Sequence, residues 1–204
     1  TGLIEKKGII YIWTNKNLKS RNLEIQVRKE LGIEQKLLTQ KEGLDLEPNL
    51  KPVFDAEVIY ESAMHARDPH GILKQIFKLF LDRGGKFIQA NIKNLEQISL
   101  NETAIRSEND EYKFEKTVVA SGAFSKSLTD QLGEKIPLDT ERGYHVHFKG
   151  KDHLISRPVI FLDRGFGMTP MNQGLRAVGT VELGGLKNPP SKKRIDYIIK
   201  CSKE

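Results

Sequence analysis

Apolar residues recur along this chain with two periods, and the switches between them lay out the elements. Residues 8–13 form an almost unbroken apolar, β-branched run that predicts a strand. A helical pattern carrying Leu18, Ile25, Val27 and Leu31 follows, with Asn15 or Asn17 as its cap and Gly32 as its stop. Glu47-Pro48 and Lys51-Pro52 mark an irregular connection, after which 53–60 predicts a second strand. The clearest helix opens at Asp68-Pro69. Aspartate accepts hydrogen bonds from the free N–H groups of a first turn, and proline at the first position has no N–H to leave unpaired. Ile72, Leu73, Ile76, Phe77 and Phe80 then fall at three- and four-residue spacing, which predicts a core-facing stripe, until Gly84-Gly85 ends it.

Residues 86–90 return to strand character. Across 92–121 short alternating runs (94–100, 103–107, 112–114 and 116–120), broken at Asn101-Glu102 and Glu108-Asn109-Asp110, predict a β-meander. A short helix is expected over 125–132, ending at Gly133, and strands over 138–148, 159–162, 167–171 and 175–183. Pro189-Pro190 then breaks the chain, and Ser191 caps a last helix carrying Ile195, Ile198 and Ile199. Strands outnumber helices and several are joined by short turns. The fold class is therefore α+β, a largely antiparallel mixed sheet with flanking helices. No internal repeat or low-complexity tract is visible.

Composition narrows the setting. The 204 residues suffice for one large domain or two small ones, and 38% hydrophobic with 29% charged residues fits a globular protein. Apolar runs are far shorter than the ~20 residues of a membrane helix, and no charged segment followed by an apolar one opens the chain as a secretory signal would. A single cysteine, Cys201, excludes an internal disulfide and a structural zinc cluster, which favours a reducing, cytoplasmic setting. The net charge of +6 is uneven: 187–204 carries six basic residues against Asp196 and Glu204. The aromatic interleaving of a single-strand binder is missing, so the basic end reads as a solvated helix face and not as a nucleic-acid surface.

Four segments hold residues of chemical interest. Lys116–Ser125 runs from β-branched residues into Ala120-Ser121-Gly122 and then a helix, a turn whose bare backbone lets a ligand approach while the first helical N–H groups face an anion; alone, the same pattern is an ordinary tight turn. Glu141-Arg142-Gly143-Tyr144-His145 is chemically dense. Arg142 suits either bidentate pairing with a carboxylate or a structural ion pair with Glu141 or Asp139. His145 and His147 alternate on one strand face, a spacing that admits a metal pair but lacks a third ligand. Arg164–Pro170 joins two strands, and Arg176, Thr180 and Glu182 would share one face of the last. His65, Arg67 and Asp68 stand before the helix, with Asp68 already engaged as its cap. A dinucleotide-gripping Gly-x-Gly-x-x-Gly turn is absent: at Gly165-Phe166-Gly167 the third glycine is replaced by Pro170 and a strand follows instead of a helix.

In their order and spacing these segments resemble the FAD-dependent amino-acid oxidoreductases of the D-amino-acid oxidase and dehydrogenase family, glycine oxidase among them. The likeness rests on the Ala-Ser-Gly-Ala turn, on Ile136–His145, on Gly174–Glu182, and on the layout of Leu46-Glu47-Pro48-Asn49-Leu50, the Asp68-Pro69 helix and the Gly84-Gly85 turn. It implies that residues 1–204 are the central, substrate-binding region of a two-domain flavoenzyme whose Rossmann loop lies elsewhere, with 86–133 contributing a meander and a strand–turn–helix to the FAD side. Tyr144, Arg142, His145, Phe166, Met168 and Thr180 would then line the substrate, and Ile92, Ala120, Ser121 and Gly122 the cofactor; Ile92 also suits a plain buried strand position. The resemblance further implies a small amino-acid substrate, most simply a D-amino acid, no nucleic acid, and oxygen or a membrane quinone as electron acceptor, the latter with peripheral contact at the inner membrane. The carboxylate-binding arginine of the family falls beyond this region. Two other readings keep the layout without the chemistry: a non-catalytic ligand-binding or interaction domain, and a basic nucleic-acid-binding domain.

Overall fold

Apolar alternation and glycine stops deliver most of these elements in the computed structural model, which describes residues 2–14, 18–54 and 56–204. In chain order they are β1 (Ile4–Glu5), β2 (Ile9–Trp13), α1 (Leu18–Glu30), β3 (Lys36–Leu38), α2 (Gln40–Leu46), β4 (Ala56–Tyr60), β5 (His65–Ala66) and α3 (Pro69–Asp82). Then follow β6 (Asn94–Ser99), β7 (Glu102–Arg106), β8 (Glu111–Phe114), α4 (Ser125–Thr129), β9 (Arg142–Lys149), β10 (Val159–Phe161), β11 (Phe166–Met171), β12 (Gly174–Glu182) and α5 (Lys192–Lys203). They gather into two compact units. Thr1–Leu79, Gly143–Val181 and Pro190–Glu204 make the first; Phe80–Arg142 and Glu182–Pro189 make the second.

The first unit is built on a seven-stranded sheet in the order β3-β4-β2-β10-β11-β12-β9. The β2–β10 junction is parallel, while β3–β4, β4–β2, β10–β11 and β11–β12 are antiparallel. Alternation gives each strand a core side. Ile10, Ile12, Ile59, Val159, Phe161, Leu175 and Ala177 bury against Leu44 and Leu46 of α2 and Ile195 and Ile198 of α5. On the other face, Trp13, Val58 and Tyr60 take Ile25 of α1. Arg28 of α1 lies 4.8 Å over the Tyr11 ring and 5.0 Å over that of Tyr60, and donates to the Tyr60 hydroxyl at 2.6 Å. The remainder of that face, toward β11, β12 and β9, carries the site described below.

The helix signals at 68–69 hold: Asp68 Oδ1 accepts from the Gly71 N–H at 2.8 Å and α3 begins at Pro69. The expected caps Asn15 and Asn17 lie outside the described residues. Helix α2, β1, β3 and β5 appear where no regular element was expected. A capping box in which Thr39 and Glu42 satisfy each other's backbone N–H opens α2, and that Thr-x-x-Glu spacing is legible in the sequence.

The second unit holds the three-stranded meander β6-β7-β8, with Leu95 and Ala104 buried, and α4, which tightens into a 3-10 turn stopped at Gly133. Two expected strands are absent: neither 86–90 nor 116–120 takes a ladder partner among the described residues. A strand is a paired object, and β-branched sequence alone supplies only one side of it. Both runs expose apolar side chains, Val118 to 88%. The α3 stripe also departs from expectation. No residue of α3 is buried, and Leu73, Ile76, Phe77 and Phe80 are all exposed. Period fixes which side of a helix is apolar, whereas burial requires a second surface.

Candidate functional site

Alternation along β9 decides which side chains can meet. Tyr144, Val146 and Phe148 turn to the core under α2 and α5, and His145 and His147 turn to the opposite face. Phe166 and Met168 belong to the same core as Tyr144. The Tyr144 hydroxyl accepts from the Ser191 N–H, 2.8 Å away at the start of α5. Phe166 packs on Phe161 with ring centroids 5.8 Å apart, and with Met168 borders a pocket of about 100 Å³ beside Cys201. The substrate-lining set expected from the sequence is thus divided by the thickness of the sheet. Sequence neighbours such as Tyr144 and His145 cannot share a face of a strand.

The opposite face holds a groove of about 210 Å³, lined among others by Arg67, His70, His145, His147, Gln173 and Arg176. The rings of His145 and His147 stand 6.3 Å apart and almost perpendicular. Partial loss of water around the ring, then the Arg176 guanidinium and His147, hold the His145 imidazole below its ordinary value. Arg67 is neutralised by Glu5 at 3.4 Å and Asp152 at 3.5 Å. His65 is buried close to Glu5, 3.6 Å away, where desolvation outweighs that carboxylate and lowers the imidazole's pKa. Among the described residues no cluster of three or more histidine, cysteine, aspartate or glutamate side chains could hold a metal ion.

Thr180 carries local strain. Its φ of +59° lies in the left-handed region, which a β-branched residue enters at a cost of order 1–3 kcal/mol, and its Oγ1 is shielded from water with no hydrogen-bond partner among the described residues. Arg176 lines the groove, while Glu182 pairs with Arg142 at 3.4 Å. Arg142 therefore has a structural partner in Glu182, and among the described residues no ion pair joins it to Glu141 or Asp139.

In the second unit, Ala120, Ser121 and Gly122 are exposed, and Gly122 opens a 3-10 turn leading into α4. A Cβ built on Gly122 would meet no atom within 4 Å, yet its φ of +55° disfavours most side chains. Ile92, half-buried, precedes β6. Ala123, Phe124 and Ser127 face Pro137–Thr140 and Gly184–Lys187 across a wide cavity of about 720 Å³.

Two buried carboxylates were missed by sequence reading. Glu57 of β4 is 0% exposed, neither oxygen has a hydrogen-bond partner among the described residues, and a Cβ on Gly43 of α2 would overlap its carboxyl group. Desolvation, then the nearby Glu47 charge, push Glu57 up to about 7. Glu47, 2% exposed at the end of α2, accepts from the Ser156 N–H at 2.8 Å, the Ser156 hydroxyl and Arg157 Nε at 3.0 Å. This network ties α2 to the strand β10 that follows it in space.

A mixed sheet covered by helices is thus interrupted in sequence by a smaller meander unit. Residues 2–204 match the model of the FAD dependent oxidoreductase (DAO) family, and the chain belongs to that family. It is 32% identical to a D-amino-acid oxidase of Bradyrhizobium diazoefficiens over 96% of its length and 47% of that protein's. A D-amino acid dehydrogenase of Vibrio atlanticus is 25% identical over 96% of the chain and 49% of the relative. Among solved structures, glycine oxidase from Geobacillus kaustophilus superposes with a TM-score of 0.85 at 17% identity, covering 99% of this chain and 55% of that one. L-proline dehydrogenase from P. horikoshii gives 0.81 at 18% identity, covering 97% and 55%. At such identities these two report the fold. The chain spans about half the length of the relatives it matches.

Proposed function

We propose that this chain is the substrate-side region of an FAD-dependent oxidoreductase that oxidises an amino acid, most simply a D-amino acid. The observation that carries this reading is the 32% identity to a D-amino-acid oxidase along nearly the whole chain. FAD, when bound, supplies the two-electron acceptor. The second unit offers a surface that fits its nucleotide side: Ala120, Ser121 and Gly122 present almost no side chain, and the space beyond Gly122 is open. Ile92 would add backbone groups next to it. The glycine-rich turn that grips a pyrophosphate is absent from these 204 residues, so firm binding needs a further segment of chain. The exposed apolar runs at 86–90 and 116–120 are consistent with strands that pair with such a segment.

On the substrate side we assign the sheet face of β9, β11 and β12 that bears His145 to the reactant. Tyr144, Phe166 and Met168 set its shape from the core side, Arg142 is anchored by Glu182, and Thr180 sits near the end of β12 with a strained backbone. These groups orient the amino acid and exclude water; none of them is required to exchange a proton in the step. Oxygen or a membrane quinone accepts the electrons afterwards. Among the described residues no helix is long and apolar enough to cross a membrane. The lone Cys201 fits a reducing, cytoplasmic setting, in which quinone use requires peripheral contact at the inner membrane.

The test uses the holoprotein in which this chain is joined to its dinucleotide-binding part. Anaerobic D-amino acid should bleach the flavin absorbance and the L-enantiomer should not. A colourless protein, or one bleached by L-amino acids alone, would overturn the reading. Hydrogen peroxide release on readmitting air separates oxygen from quinone.

A further inference from the structure

The groove on the first unit contains a charge with no counterpart. Arg176 of β12 lines it, its Nε is shielded from solvent, and no carboxylate or other acceptor engages it among the described residues. Arg176 is half-buried, and the shielded Nε of its guanidinium has lost hydration that no acceptor among the described residues returns. The side chains around it do not supply an anion. His145 and His147 bring imidazole N–H groups, and Gln173 brings an amide. Arg67 is already matched by Glu5 and Asp152, and the Asp68 carboxylate is committed to the Gly71 N–H as the cap of α3. Donors therefore converge from β9, β12 and the β11–β12 turn on a space of about 210 Å³, enough for a phosphate or a short dicarboxylate with some water.

We propose that this groove is a binding site for a small oxyanion, held by the Arg176 guanidinium with His145 and His147 as flanking donors. The planar fork of arginine matches two oxygens of either a carboxylate or a phosphate. The imidazoles add donors whose number rises on protonation. The groove lies on the sheet face assigned above to the reactant, so the inference deepens that reading; its test uses no flavin, so the two can fail separately.

Titration calorimetry of the 204-residue chain at 0.15 M NaCl, with inorganic phosphate in one arm and malonate in another, tests it, alongside NMR of the histidine ring resonances. One-to-one binding at submillimolar concentration by at least one anion, with shifts of the His145 and His147 rings, is expected; the arm that saturates names the source. Arg176→Gln should weaken binding at least about tenfold. Arg176→Lys keeps the charge but loses the fork, and should recover only part of the affinity, which covers the case in which Gln disturbs the sheet. Lys200→Gln, on the exposed face of α5, should change nothing. Failure of both anions to bind below about 10 mM, or loss of binding in Lys200→Gln with retention in Arg176→Gln, overturns the proposal.

Discussion

A single buried glutamate makes the stability of the first unit depend on pH. Glu57 has its pKa raised from 4.5 to about 7, so the fold holds the neutral acid and the unfolded chain releases the proton more readily. Its stabilising contribution is complete below pH about 4.5 and is lost as pH rises through about 7. A shift of that size corresponds to about 3 kcal/mol. Glu57→Gln keeps the shape without the titration: denaturant melts at pH 5 and pH 8 should show the wild type losing stability between them and the variant losing much less. Equal losses would place the titration elsewhere. Nothing in the run Ala-Glu-Val-Ile-Tyr reveals this role, because the space the carboxyl group fills is left by Gly43 on a helix fourteen residues upstream. Thr180 was legible as a residue of interest and illegible as a strained one, since φ is not written in the sequence. Thr180→Gly removes the strain and should raise stability by about 1 kcal/mol in the same melts while reducing turnover in the holoprotein; a loss of stability would show that Thr180 makes a contact worth more than its strain.

At the scale of elements, period and caps were read correctly where the partner surface is in the chain. The Asp68-Pro69 start, the Gly133 stop, the meander through β8 and the four strands β9 to β12 fall within a few residues of expectation. Helix α2 was overlooked because two prolines dominate its end, although its Thr39–Glu42 capping box was in view. The expected strands at 86–90 and 116–120, and burial of the α3 stripe, failed for one shared reason: alternation and periodicity report which side is apolar, not what covers it. Stability should follow coverage and not periodicity. Ile198→Ala, at 0% exposure in α5, should cost about 2–5 kcal/mol. Ile76→Ala, at 60% exposure in α3, should cost under about 1 kcal/mol despite its stronger helical pattern. Chemical denaturation of the 204-residue chain separates the two, and equal costs would mean that α3 is covered in solution.

For the molecule as a whole, family and fold were legible, because they depend on the order of segments. Which face of the sheet each candidate residue takes was not: Tyr144 and His145 are adjacent in sequence and opposite in space. Cofactor binding is the property in which this scale can be tested. Without the glycine-rich loop, the 204-residue chain should quench FAD fluorescence without saturation below about millimolar concentration, equivalent to about 4 kcal/mol of binding. Within the holoprotein, Gly122 should matter for space more than for strain. Valine would combine both effects, since a β-branched residue at φ +55° is disfavoured in its own right. Asparagine separates them, because it tolerates the left-handed region yet adds a side chain where the backbone is open. If the nucleotide passes beside Gly122, Gly122→Asn should lose most of its flavin absorbance while the cofactor-free protein melts within a few degrees of wild type. In contrast, Tyr144→Phe removes the acceptor of the Ser191 N–H and should cost about 1–3 kcal/mol of stability with flavin content retained. A colourless Tyr144→Phe beside a fully yellow Gly122→Asn would mean that the cofactor lies on the sheet core side, and that the two units have been assigned the wrong ends of the ligand.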